Sequence, residues 1–180
     1  MLSTLLLFSC GEKKSNIISD ENIFYKNDSL FCSGKYRTRI NGKDTTKTRF
    51  GYWFFYKPDG IMEHDEKYDS LGYKTLEEYF YDNDSLKSYT SFSSDWTYFE
   101  EYLPNGSISL KHYTITKYEH DEDSESETKY DSIWNYHKNG NLFCLKVFED
   151  DDLKSEKYWD STGVEILNLK YPKSPYYSTY

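Results

Sequence analysis

Residues 53–62, WFFYKPDGIM, form a pattern that the chain repeats, and repetition limits the accessible folds more than any single residue does. As a template it is a large apolar residue, two spacers, Tyr, two spacers, Asp or Asn, Gly, one spacer and an apolar residue. It returns as Phe99, Tyr102, Asn105, Gly106 and Ile108, and again as Ile133, Tyr136, Asn139, Gly140 and Leu142. FYKNDSL at 24–30 and FYDNDSL at 80–86 agree at six of seven positions, and Asp-Ser-x-Gly occurs at 69–72 and at 160–163. Units of this kind lean on their neighbours instead of closing a core of their own.

Each unit reads as an aromatic-rich strand, a tight turn and a second strand. In Pro58-Asp59-Gly60 and Pro104-Asn105-Gly106 the proline presets φ, Asp or Asn follows, and Gly takes the left-handed conformation that closes a bulged hairpin. Behind the turns, Leu30 with Cys32, Ile108 with Leu110 and Leu142 with Cys144 alternate, which is strand and not helix spacing. Turn anchors fall near 28, 60, 72, 84, 106, 140, 151 and 163, where Gly163 closes the last Asp-Ser-x-Gly. Gaps of 11 or 12 residues fit one strand plus a turn, and gaps of 22 and 34 read as two and three such steps. The expectation is an all-β chain: an elongated, meandering antiparallel sheet of repeated β-hairpins.

The unit resembles the bacterial variant of the MORN repeat found in YwqK-family antitoxin components. The resemblance runs from Phe24 to Lys170, with Asp28 and Asp84 replacing a glycine of the usual unit and a long gap before Gly140. It implies a β-repeat surface used for binding and, through the antitoxin description, a protein partner that is a toxin.

Residues 1–11, MLSTLLLFSCG, hold an apolar run that ends in a lipobox-like Leu7-Phe8-Ser9-Cys10. The run is too short for a bilayer span, which takes about 20 apolar residues. It also lacks the opening positive charge of a secretory signal, which implies an upstream start or an unusually short segment. Residues 1–9 are therefore read as a lipoprotein signal, 10–20 as lipidated Cys10 plus a polar tether, 21–171 as the repeat domain and 172–180 as a tail. The address is the envelope of a bacterium, lipid-anchored and facing the periplasm or the surface, with acyl chains as the membrane link.

Composition excludes several function classes. The formal net charge of −9, from 31 acidic and 22 basic residues, disfavours nucleic acid, since phosphate binding needs clustered Lys and Arg. The basic residues between Lys35 and Arg49 read as a solvated or charge-protected sheet edge. The run EHDEDSESE at 119–127 reads as a long exposed hairpin loop; a calcium loop through Asp121, Asp123 and Glu125 lacks its glycine and its terminal glutamate. Asp150-Asp151-Asp152 reads as a worn turn. Cys32 and Cys144 each follow a turn anchor by four residues and are expected to be separate, half-buried thiols on one face.

No catalytic arrangement emerges. His64, His112, His120 and His137 are scattered, and neither a zinc motif, a nucleophile elbow nor a phosphate-cradling loop is present. The expectation is a non-enzymatic protein with no metal and no cofactor. Aromatic residues make up 19% of the chain, including 20 Tyr, which suits a thin, two-sided wet sheet. Protein recognition is the leading reading. The alternatives are a structural role in envelope assembly through open sheet edges, and carbohydrate or cell-wall binding by exposed Trp53, Trp96, Trp134 and Trp159; against the latter stands the reading that these rings form a shallow core.

Overall fold

The computed structural model describes residues 14–121 and 124–172. It is one 12-stranded antiparallel sheet in sequence order, and among the described residues there is no helix. The strands are β1 (Lys14–Phe24), β2 (Leu30–Asn41), β3 (Asp44–Tyr56), β4 (Met62–Tyr68), β5 (Lys74–Phe80) and β6 (Leu86–Phe92). They continue with β7 (Trp96–Tyr102), β8 (Ile108–Asp121), β9 (Ser124–Tyr136), β10 (Leu142–Glu149), β11 (Asp152–Trp159) and β12 (Glu165–Lys170). Each strand pairs only with its chain neighbours, so the sheet is open and not a barrel. The accessible surface is 13418 Å², against roughly 9,000 Å² for a compact globule of this mass.

Six turns line one end of the sheet, at 25–29, 57–61, 81–85, 103–107, 137–141 and 160–164, and all share one geometry. In the second, Gly60 N–H donates to Lys57 O (2.9 Å) and Lys57 N–H to Ile61 O (2.8 Å). The residue before the last is left-handed: Asp28 (φ 63), Gly60 (89), Asp84 (62), Gly106 (82), Gly140 (87) and Gly163 (92). In five turns the Asn or Asp before it accepts a bond from the backbone two residues on, as Asn105 does from Ser107 N–H (3.0 Å). The Asp-Ser-x-Gly turns use the first residue instead. Asp69 Oδ1 accepts from Leu71, Gly72 and Tyr73 N–H, and Asp160 Oδ1 from Thr162 and Val164 N–H.

Counting from the left-handed residue gives each hairpin a common frame. Position −4 pairs with +2 in all six: Phe24–Leu30, Tyr56–Met62, Phe80–Leu86, Tyr102–Ile108, Tyr136–Leu142 and Trp159–Glu165. A bulge at +3 follows each time. Successive hairpins also join in one register, +4 of one against −5 of the next: Cys32–Phe55, His64–Tyr79, Ser88–Glu101, Leu110–Asn135 and Cys144–Tyr158. These residues share the face that carries Trp53, here called face A; face B is the other.

Three expectations need correction. Residues 14–20 are not a free tether: they are the first part of β1, paired from Lys14–Asn41 onward, so the sheet starts seven residues before position 21. Residues 14–20 fill the hydrogen-bonding edge of β2 out to Asn41, from Lys14–Asn41 to Asp20–Lys35. The 34-residue gap holds two long strands, β8 and β9, and not three short ones. Accordingly most of the acidic run lies in strand, with Tyr118 opposite Glu127 and Glu119 opposite Ser126, not in a long loop. Asp150 (φ 51) and Asp151 (φ 65) form the turn expected there. Cys10 and residues 1–9, with 173–180 of the tail, lie outside the described residues.

Candidate interaction surfaces

Face A carries the core. Cys32, Trp53 and Phe55 are buried together, with Tyr36 and Tyr68 against them. The Trp53 indole lies on Gly34, donates from Nε1 to Lys35 O (3.0 Å) and carries the Arg49 guanidinium 4.7 Å from its ring centre. Arg49 Nη1 donates to Glu66 Oε2 (2.7 Å) and to Tyr68 OH (2.8 Å). Lys74 Nζ bridges Glu66 Oε1 (3.1 Å) and Glu77 Oε1 (3.0 Å). Burial pushes the Glu66 carboxyl up, but hydrogen bonds from Tyr68 and Lys74 and the charges of Lys74 and Arg49 outweigh it and hold it below the usual range.

His64 is stacked between Phe55 (4.2 Å) and Tyr79 (4.8 Å), and burial lowers its pKa. With Glu66 and Glu77 it offers ligand atoms within 4.8 Å of one another, a spacing a cation could use. The Lys74 ammonium already bridges the two glutamates, so a cation there would have to displace it. Farther along face A, buried Asp131 accepts from Thr114 Oγ1 and sits 3.0 Å from both His112 Nε2 and Lys129 Nζ.

Face B holds a pair of opposed carboxyls and an aromatic cleft. Asp65 is 7% exposed and pairs directly with Glu78; burial first, then the Glu78 charge and hydrogen bond, push it up to about 6. The cleft spans β6, β7 and β8, encloses about 310 Å³ and is lined by Tyr89, Ser91, Trp96, Tyr98 and Tyr113. Trp96 and Tyr113 lie 6.3 Å apart, as do Tyr98 and Tyr113 edge to face. Beside the cleft, Glu100 accepts from the hydroxyls of Tyr98 and Tyr102 and pairs with Lys111 (2.9 Å). Burial and the Glu100 hydrogen bond push Tyr102 up to about 12.

The motif residues of the sequence occupy equivalent places. Trp53, Phe99 and Ile133 stand at −7 on face A; Tyr56, Tyr102 and Tyr136 stand at −4; Gly60, Gly106, Gly140 and Gly163 close their turns. The four tryptophans do not form one surface. Trp53 is 0% exposed on face A, as the shallow-core reading holds, whereas Trp96, Trp134 and Trp159 fall on face B by strand alternation, with Trp96 37% exposed. Cys32 and Cys144 are free, share face A and are buried more deeply than half.

Sequence reading missed the Arg49–Glu66–Lys74 network and the Asp65–Glu78 pair. The signal available was the run His64-Asp65-Glu66: on a strand, alternate members must face opposite ways, so Asp65 and Glu66 cannot share one environment. The basic residues at 37 and 39 also have partners, since both Arg37 and Arg39 donate to Ser70 O and fasten the β2–β3 extension over the 69–73 turn. No known protein-family model matches the chain, and no curated protein matches it.

Proposed function

We propose that this protein is a non-enzymatic recognition scaffold, held at a bacterial membrane by a lipid on Cys10, whose open sheet binds a partner protein. The observation that carries the reading is the cleft of Tyr89, Trp96, Tyr98 and Tyr113 on a sheet face that no second layer covers among the described residues. Tyrosine and tryptophan bring large contact area at small entropic cost, and they dominate interface energetics. The resemblance to YwqK-family antitoxin components makes a secreted toxin the partner of first choice. The acidic balance favours a basic partner over nucleic acid.

The test is in-cell crosslinking of the tagged protein, with mass spectrometry of what it retains. The wild-type chain is compared with Cys10→Ala and with Trp96→Ala/Tyr113→Ala. One stoichiometric protein partner, lost in the cleft variant, supports the reading. Retention of polysaccharide instead, lost in the same variant, moves the cleft to glycan stacking. A partner set unchanged by the cleft substitutions refutes it.

A further inference from the structure

The two edges of the sheet are complementary to each other. At every junction between successive hairpins, position +4 faces −5, and this happens five times in this chain. The next pairs follow: +5 with −6, as in Asp65–Glu78 and Lys111–Trp134, and +7 with −8, as in Lys67–Leu76 and Tyr113–Ser132. β12 is the second strand of the sixth hairpin, and β1 is the first strand of the first. Among the described residues nothing pairs with the outer edge of either.

We propose that β12 of one copy pairs antiparallel with β1 of a second copy, continuing the sheet head to tail in the register of the internal junctions. The register places Leu167 opposite Ile23, Asn168 opposite Asn22, Leu169 opposite Glu21 and Lys170 opposite Asp20 of the second copy. The chemistry agrees at each step. Leu167 and Ile23, 42% and 38% exposed, become an apolar pair. Lys170 meets Asp20 with opposite charge, and the two asparagines meet as amides. Leu169 meets the stem of Glu21, whose carboxylate is held by Lys47 (3.3 Å).

Backbone direction supports the same register. Tyr171 N–H donates inward to Lys154 O, so by alternation Lys170 and Asn168 turn their N–H and C=O groups to the open edge. Tyr25 N–H donates to Ser29 O, which turns Asn22 and Asp20 outward on β1. The four outward residues are those the register pairs, so Asn168–Asn22 and Lys170–Asp20 are the hydrogen-bonded pairs. The operation is heterologous, so it gives a ring where its rotation closes and an open array where it does not. It does not depend on the cleft of face B or on its partner.

Leu169–Glu21 is a non-hydrogen-bonded pair, whose Cα separation of about 4.5 Å suits a disulfide. The experiment mixes two full-length chains, both carrying Cys10→Ala, one with Leu169→Cys and the other with Glu21→Cys, under mild oxidation. The expected product is a disulfide heterodimer, at least about tenfold above the yield of Leu169→Cys mixed with Asn22→Cys, which faces the other side. Adding Asn168→Pro to the Leu169→Cys chain removes an edge donor without touching β11 and is expected to abolish the product. Homodimers of Leu169→Cys alone in equal yield would show symmetric β12 pairing and overturn the proposal. A heterodimer yield equal to the Asn22→Cys control would overturn it too.

Discussion

Gly34 is where one methyl group has the largest calculable effect. A Cβ built on it would lie 2.3 Å from Trp53 Cδ2 and 2.5 Å from Cε2, far inside contact distance. The indole cannot swing away freely, since it is 0% exposed, edge-on to Tyr36 at 4.8 Å and bonded through Nε1 to Lys35 O. Gly34→Ala therefore forces overpacking, which costs about 1–3 kcal/mol. Displacing the ring also strains a hydrogen bond of about 1 kcal/mol, while replacing glycine within a strand returns roughly 0.5–1 kcal/mol. The balance is a loss of about 2 kcal/mol. Urea unfolding with a double-mutant cycle measures it. In a Trp53→Leu background the clash is gone, so Gly34→Ala is expected to be close to neutral there. Thr90, the same position two hairpins on and opposite Phe99, serves as control: Thr90→Ala should shift stability little. Equal cost of Gly34→Ala in both backgrounds would refute the reasoning.

Asp65, raised from 3.8 to about 6, gives a pH test. A group whose folded pKa is raised contributes stability below its unfolded value and loses it as pH rises through the folded one, so the loss runs from about pH 4 to 6. Asp65→Asn is expected to stabilise the protein by about 1–3 kcal/mol at pH 7.5 and by little at pH 4; an equal effect at both pH values would contradict the burial argument. Asp28→Gly and Asp84→Gly relieve left-handed backbone at φ 63 and 62, and each should raise stability by roughly 0.5–1 kcal/mol in urea titrations. An unchanged midpoint in both would show that the Asp side chain fully offsets the strain. Asp131→Ala leaves Thr114 and Lys129 without their shared acceptor and should cost about 2–4 kcal/mol, with hydrogen exchange accelerating first in β8 and β9. Exchange unaffected there would discount the Asp131 node.

Much of the fold was legible because its punctuation is local. Pro58-Asp59-Gly60 or Asn139-Gly140 dictates a left-handed residue and an Asx bond within five residues, whatever the rest of the chain does. Strand alternation then assigns faces, which is why Cys32 and Cys144 could be matched as equivalent. The tether was misjudged for the opposite reason. Residues 14–20 carry little apolar pattern of their own, and their strand shows only in the pairing with β2, which runs on to Asn41. The long gap misled in the same way, since nothing local in 108–136 says that two strands will run past their neighbours.

The sequence by itself determined the all-β character, the place of nearly every turn at the motif end and the order of the strands, because short hairpin loops leave successive strands no other neighbour. The tertiary structure alone decided register and company. The bulge after each turn sets which residues meet across strands, and where successive hairpins join these partners lie 13 to 25 residues apart in the chain. That offset places Gly34 under Trp53, seats Lys74 between Glu66 and Glu77, opposes Asp65 to Glu78 and gathers the rings of β6 to β8 into one cleft. Such meetings depend on summed offsets along the sheet, and no window of neighbouring residues contains the sum.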